Sequence, residues 1–218
     1  MTSATLTRME PEIEDPRDEE RPDGWEYSIA DYVQIEEESE LVKHEFDNGQ
    51  IRVMSGGTYL HARLPVALVL QLGPQLEGKP CVIVTGDSRI RIKPAGLITY
   101  PDLSIMCTKE VMDDEDPLAQ TNPLVVFEIT SKSSERYDRG KKRLAYQQLE
   151  SLRDYVIVSQ RAPAIDVYTR AADGSWPEPV RSGPGERARV HSIGCEIDVD
   201  KLYVDPRRKP AASSSEPS

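Results

Sequence analysis

The sequence is poor in the features that mark several large protein classes. Its 218 residues contain three cysteines, Cys81, Cys107 and Cys195, which lie far apart and form no CxxC pair. This pattern argues against a disulfide framework and a structural zinc site, so we interpret all three as small apolar residues. No apolar run approaches the roughly 20 residues that span a bilayer, and the N-terminal segment is acidic, unlike a signal peptide. We therefore expect a cytoplasmic protein with no membrane partner.

Common catalytic motifs are also missing. The chain has no HExxH, GxSxG, GxxxxGK[ST] or GxGxxG, so the usual metalloprotease, serine-hydrolase, P-loop and dinucleotide-binding interpretations have no support. The net charge of −11 argues against nucleic acid as a partner, because phosphate binding depends on Lys and Arg. The acidic residues, however, are concentrated at 9–23 and 35–40, whereas the segment 132–143 is basic. Net charge is therefore a caution about DNA binding and does not exclude it.

The pattern of apolar residues predicts one α/β domain over residues 25–205 around a central mixed sheet. The segments 1–24 and 206–218 lack apolar periodicity and are predicted to be disordered tails. Ser28 is a predicted helix cap, and a longer helix is predicted from Thr58 to about Gly78. A hairpin is predicted around Asp47-Asn48-Gly49, and a third helix at 139–152.

Two kinds of strand are predicted between these helices. The segment "SRIRIKP" alternates, which predicts a half-exposed strand with Ile90 and Ile92 inward and Arg89 and Arg91 outward. The runs "LSIMC" and "LVVFEI" do not alternate, as in strands that are covered on both faces.

A carboxylate accompanies each of these two apolar strands. Asp102 directly precedes one strand and Glu128 lies within the other. Burying one carboxylate is costly and two close together repel each other, unless a cation or a proton intervenes. Mg²⁺ prefers such oxygen ligands and can activate a water for attack at phosphorus. Asp138 and Lys142, four residues apart, would share a helix face and could bring an ammonium group to that water.

Simpler explanations stay open at this point. Asp102 follows Pro101 and would serve as a turn or cap residue. Glu128 would lie at a sheet edge and pair with Arg89 or Arg91. The basic segment would be a solvated helix face.

The chain resembles the Uma-two family of bacterial proteins, restriction-endonuclease-like members of the PD-(D/E)XK nuclease superfamily. The resemblance covers about residues 25–205. The segments that carry it are "HEFDNGQIRVMSGGT", "HARLP", "TYPDLSI", "VVFEITSKSSERYDRGKKRLAYQQLESLRDYVIVSQ" and "IDVYTR".

The resemblance implies a restriction-endonuclease-like α/β fold, with a central mixed sheet of about five strands flanked by helices. It also assigns roles to matching residues. Asp102 and Glu128 would be catalytic metal ligands with Glu45 assisting, and Lys142 would be the catalytic base or water-orienting group. The superfamily often places its Lys two residues after the Glu, where this chain has Thr130. Apart from the resemblance, we expect four residues of the basic segment and the longer helix to contact the substrate, namely Lys132, Arg139, Lys141 and His61. Lys132 stands where the family usually has Pro.

The function that the resemblance implies is endonucleolytic hydrolysis of DNA with Mg²⁺, for which Mn²⁺ substitutes, by a homodimer. The first alternative is a catalytically inactive nuclease-fold protein that acts as a binding or assembly module, as the acidic balance suggests. The second is a metal-dependent hydrolase of another substrate. We expect replacement of Lys142 by Ala to abolish cleavage with little change in melting temperature.

Overall fold

The computed structural model describes residues 26–54, 56–205 and 207. The predicted disordered tails at 1–24 and 206–218 lie outside these residues, apart from Arg207. The helical segments are α1 (Ile29–Glu38), α2 (Tyr59–Leu76), α3 (Glu135–Tyr137), a π turn (Asp138–Lys142), α4 (Arg143–Tyr146) and α5 (Val199–Tyr203). The strands are β1 (His44–Asp47), β2 (Gln50–Val53), β3 (Val82–Thr85), β4 (Ile90–Ile92), β5 (Leu97–Thr99), β6 (Leu103–Met106), β7 (Val125–Thr130), β8 (Asp154–Ser159), β9 (Ile165–Thr169), β10 (Val180–Ser182), β11 (Arg187–Val190) and β12 (Cys195–Asp198).

The central sheet has six strands in the order β10-β9-β8-β7-β6-β3. Only the β7–β8 pair of this sheet is parallel, so the sheet is mixed. A second sheet has the order β2-β1-β5-β4, and β11 pairs with β12. Helices flank these sheets, which confirms the predicted α/β fold with a central mixed sheet. None of the described helices is both long and apolar enough to cross a membrane.

Two apolar clusters hold the layers together, one on each face of the central sheet. On one face, Leu64, Leu68 and Leu72 of α2 pack with Leu103 and Phe127 of the sheet. On the other face, residues of β4, β7, β8 and α4 form a second cluster, which includes Ile90, Val126, Tyr146, Tyr155 and Ile157. Strands β6 and β7 are fully buried between these clusters, as their lack of alternation predicts.

Local signals located several elements well. Ser28 caps α1 through a reciprocal capping box with Asp31, and Thr58 caps α2. The β1–β2 hairpin turns at Asn48 and Gly49, both with positive φ. The helix predicted at 139–152 is wrong in its bounds, because the helical segment begins at Glu135, widens into a π turn and ends at Tyr146.

The predicted outward direction of Arg89 and Arg91 is wrong. Both side chains are buried, because the segment around Gln120 pairs with the edge of β4. The Gln120 backbone accepts a hydrogen bond from the Arg91 N–H and donates one to the Arg89 carbonyl. Arg89 Nε lies 2.7 Å from a carboxylate oxygen of the buried Asp116, which neutralises its charge. A local period reports which residues alternate, but it does not report that a distant loop covers the outer face.

The cysteine interpretation needs a similar correction. Cys81 and Cys107 form a disulfide, while Cys195 is free and buried. The register that pairs Val82 with Met106 continues one residue outward and sets the two cysteines opposite each other. Their separation of 26 residues gave no indication of this pairing.

Candidate active site

Asp102 and Glu128 meet at the end of the β6–β7 pair. These strands are antiparallel with Leu103 opposite Phe127, so one further step sets Asp102 opposite Glu128. Opposite residues of an antiparallel pair point to the same face, and both side chains line one cavity of about 480 Å³. Glu128 is only 4% exposed, and Asp102 Oδ2 accepts a 2.6 Å hydrogen bond from the Ile129 amide.

Lys142 enters the same cavity from the π turn and joins two carboxylates. Its Nζ lies 3.0 Å from Glu128 Oε1 and 3.2 Å from Glu45 Oε1. Glu45 comes from β1 in the second sheet, where Thr99 also donates a hydrogen bond to it. Strands β1 and β7 thus each place a carboxylate beside the ammonium group of Lys142, which is only 5% exposed.

The π turn gives Asp138 and Lys142 their common direction. Both are buried and both line the cavity. Gly140, between them, has a φ of −106° and a ψ of −105°, which lies outside the helical region and widens the turn. The Asp138 carbonyl accepts a hydrogen bond from the Tyr155 hydroxyl at 2.9 Å, which ties the turn to the central sheet.

Burial dominates the electrostatics of this cluster. It raises the pKa of the Glu128 carboxyl well above its usual value, and the nearby Lys142 ammonium opposes that rise only in part. Burial also raises the pKa of Asp138, again against Lys142. For Lys142 itself burial lowers the pKa, but the surrounding carboxylates, Glu128 and Glu45 foremost, outweigh it and keep the ammonium charged. Lys142 is therefore the charged member of the Glu128–Lys142 pair.

His61 holds the opposite side of the cavity. It lies in the first turn of α2, and its Nε2 is 2.8 Å from Asp102 Oδ1. This hydrogen bond to Asp102 raises the pKa of His61, against the effect of burial. The rim carries hydroxyl groups and glycines, including Ser131, Ser133, Thr58 and Gly57.

A family model described as "Uma2: Putative restriction endonuclease" matches residues 29–200. The chain belongs to the Uma2 family. The matched residues lie within the predicted domain at 25–205 and include the whole cluster described above.

Two proteins of known sequence and one solved structure are similar to this chain. The chain is 35% identical to "Uncharacterized protein slr1290" of Synechocystis over 176 residues, 81% of this chain and 90% of that protein. It is 27% identical to "Uncharacterized protein sll1609" of the same organism over 68% of this chain and 84% of that protein. The crystal structure of a "putative nuclease belonging to DUF820" from Anabaena variabilis superposes with a TM-score of 0.59 at 14% identity, covering 73% of this chain and 89% of that one. At that identity the superposition supports the nuclease-like fold.

Of the four predicted substrate contacts of this Uma2 chain, His61 lines the cavity and the other three do not. Arg139 is instead paired with Asp166 at 2.6 Å, and Lys141 with Asp47 at 2.6 Å. Neither Arg139 nor Lys141 is among the described residues that line the cavity. Lys132 is exposed, and its neighbours Ser131 and Ser133 line the rim.

Several lining residues had no signal in the sequence that we recognised. Arg52 extends from β2 to the cavity, Tyr100 from the segment before β6, and Gln160 from the end of β8. Tyr137 also lines it, and burial raises the pKa of its phenol to about 12, so the group stays neutral. Thr58, which also lines the cavity, was predicted only as the start of the longer helix.

The donor set suits a hard divalent cation. Glu128 Oε1 is buried and has no hydrogen-bond partner among the described residues, although Lys142 lies beside it. Mg²⁺ sites commonly use one or two carboxylates together with water and substrate phosphates. Asp102 and Glu128 are the residues here that would hold such an ion, and Glu45 contacts the same Lys142 ammonium as Glu128.

A second acidic cluster lies elsewhere on the molecule. Asp113, Asp114 and Glu115 are the one group of three potential ligands within 4.8 Å of one another that occurs in the described part of the chain. Lys93 already pairs with Asp113 and Asp114, and Asp114 and Glu115 are exposed. This cluster lies outside the Asp102 cavity and serves below as a control for ion binding.

Proposed function

We propose that this cavity hydrolyses phosphodiester bonds of DNA with a divalent metal ion, Mg²⁺ or in its place Mn²⁺. Asp102 and Glu128 would hold the ion, with Glu45 assisting. The observation that carries the proposal is the buried Glu128 carboxylate, which lies across from Asp102 and beside a buried ammonium group. A pair of central carboxylates is costly to a fold, so a function that needs them is favoured.

The residues of the chain divide the work between charge and position. A bound Mg²⁺ supplies Lewis acidity and lowers the pKa of a coordinated water. Lys142, kept charged by its carboxylate neighbours, orients the attacking water and neutralises charge that develops on the phosphate. Its surroundings favour this electrostatic role over that of a base.

The rim offers groups for the phosphates on either side of the scissile bond. The hydroxyls of Ser131 and Ser133 line the cavity mouth, and Arg52 extends towards it from the hairpin. Lys132 lies between the two serines and has no ion-pair partner in the described part of the chain. We propose Lys132 as one backbone contact and Arg52 as another, because Arg52 lines the cavity although it also lies 3.1 Å from Asp47. A duplex would need two such sites, which is the reason to expect a homodimer.

The test is a cleavage assay on supercoiled plasmid and single-stranded oligonucleotide with Mg²⁺, Mn²⁺ or Ca²⁺. We expect Mg²⁺- or Mn²⁺-dependent cutting that is lost in Glu128→Gln and in Asp102→Asn. The matched control is Asp114→Asn, which removes one carboxylate from the other acidic cluster and should cut like the parent protein. Thermal unfolding of each variant checks that it folds. Loss of cutting in Asp114→Asn alone would move the ion site away from this cavity.

A second candidate is a nuclease-fold binding module without catalysis. It is favoured by the net charge of −11 and by the ion pairs of Arg139 with Asp166 and of Lys141 with Asp47, which neutralise two basic groups. DNA that is bound but never cut with any of the metals would favour it. Hydrolysis of a small phosphodiester alone would indicate another substrate.

A further inference from the structure

A chain of side-chain hydrogen bonds lies directly behind Asp102. The Thr58 hydroxyl donates to Gln160 Oε1 at 2.7 Å, and Gln160 Nε2 lies 3.0 Å from His61 Nδ1. His61 Nε2 in turn lies 2.8 Å from Asp102 Oδ1. This series of hydrogen bonds thus connects the N-terminus of α2 and the end of β8 to the Asp102 carboxylate.

The hydrogen bonds of this series all donate in one direction, from Thr58 through Gln160 and His61 to Asp102. Thr58 Oγ1 already accepts the His61 backbone N–H at 3.1 Å as the cap of α2, so its own proton is available for Gln160. An amide oxygen that accepts from Thr58 turns the Gln160 NH₂ group towards His61 Nδ1, which must then accept. The ring proton of neutral His61 therefore lies on Nε2 and is donated to Asp102.

Packing restricts the histidine ring as well. A Cβ atom at Gly57 would lie only 2.6 Å from His61 Cδ2, so the ring packs directly against the glycine backbone. Asp102 is fixed from its other side, because Oδ2 accepts the Ile129 N–H at 2.6 Å. Both carboxylate oxygens thus have a defined partner, and the His61 partner depends on Gln160.

We propose that Gln160 and Thr58 are positioning residues, which hold His61 in its Nε2–H form and thereby orient the Asp102 carboxylate. The use of this orientation in ion binding rests on the proposed function. Groups that hydrogen-bond to metal ligands commonly change metal affinity or activity about 10- to 100-fold when they are replaced. The simpler alternative is that Gln160 only ties β8 to the cap of α2, which would stabilise the fold without affecting His61.

The histidine content of the protein makes a direct test practical. Only three histidines are present, so ¹⁵N-histidine spectra are assigned by single replacements of His44 and His191. Recorded at alkaline pH, where the imidazole is neutral, the parent protein should give the Nε2–H signature for His61. Gln160→Leu should give mixed tautomers. Its Mn²⁺ affinity should fall by up to about 10-fold, the lower end of the range for direct partners of a metal ligand, because Gln160 acts through His61. Thr58→Val should act in the same direction, and Thr58→Ser should restore both properties, because it keeps the hydroxyl.

The matched control is Gln71→Leu. Gln71 is also a partly buried glutamine whose side chain bonds at both ends, to the backbone of Asp198, but it lies away from the cavity. It should change stability and leave the His61 signature intact. A parent-like His61 spectrum in Gln160→Leu would overturn the positioning proposal. Absence of ion binding by the parent protein would instead overturn the proposed function, since the spectra are recorded without an ion.

Discussion

Replacing Lys142 by Met is the sharpest perturbation that the structure offers. The ammonium is 5% exposed and lies 3.0 and 3.2 Å from two carboxylates, so the change leaves two buried acids without their cation. At these separations and an effective dielectric of about 20, each pair is worth about 5 kcal/mol, much of which desolvation of the ions offsets. Removing one partner of a buried pair typically costs about 3–5 kcal/mol.

The expected result is therefore a loss of stability as well as of cleavage. For a chain of this length, about 3–5 kcal/mol corresponds to a fall in Tm of roughly 6–20 °C. The sequence alone led us to expect an unchanged Tm, and the burial of Lys142 reverses that expectation. A divalent ion should restore part of the loss by replacing the missing charge. An ion at about 100 times its Kd would contribute about 2.7 kcal/mol.

The pH dependence of this variant has a definite sign. Burial raises the pKa of Glu128, and loss of the Lys142 ammonium should raise it further. A carboxyl whose pKa is raised in the folded state favours folding at low pH, and this contribution is lost as pH rises through the folded pKa. Lys142→Met should therefore be nearly as stable as the parent protein in acid and much less stable at neutral pH.

Differential scanning calorimetry across pH, with and without Mg²⁺, measures all of these effects. The matched control is Lys141→Met, because Lys141 is an adjacent lysine, 61% exposed, whose partner Asp47 keeps Arg52 at 3.1 Å. That variant should lose no more than about 1 kcal/mol. Equal Tm values for Lys142→Met and the parent protein at neutral pH without metal would refute the buried-pair reasoning.

Three further perturbations test other parts of the fold. Cys81→Ser opens the disulfide with its separation of 26 residues, which should cost about 3.5 kcal/mol of chain entropy and lower the urea midpoint; a midpoint equal to that of the parent protein in oxidising buffer would contradict this. Burial alone would raise the pKa of Asp47, but hydrogen bonds from Lys141 and Asn48 lower it. The stability that the Asp47 carboxylate contributes is thus present above its unfolded pKa and lost as pH falls through its folded pKa. Asp47→Asn should therefore be less stable than the parent protein at neutral pH and should lose less stability on acidification. An unchanged acid limb of the stability curve would contradict this prediction. Asp116→Ala leaves the Arg89 charge buried without a partner and should cost about 3–5 kcal/mol of unfolding free energy. In chemical unfolding, the double variant Arg89→Met/Asp116→Leu should recover most of that loss.

Local sequence patterns were informative wherever a short segment carries its own signal. The Asn48–Gly49 turn, the Ser28 cap of α1, the start of α2 next to Thr58 and the apolar runs of β6 and β7 all appear in the structure where the pattern places them. Glu128 was conspicuous because a carboxylate inside an apolar strand has no local explanation. The structure places it in a central strand beside Lys142, so the alternative pairing with Arg89 at a sheet edge is wrong.

The sequence by itself determined which residues are apolar, where the chain turns, and that two acids accompany two buried strands. Tertiary structure alone decided which distant groups meet those acids. Lys142 reaches Glu45, 97 positions earlier, through a π turn and a second sheet, and Gln160 reaches His61 across 99 positions. Periodicity reports the faces of one element over a few residues. The partners of a buried charge depend on how sheets and helices stack, which is decided by contacts between elements that no short pattern contains.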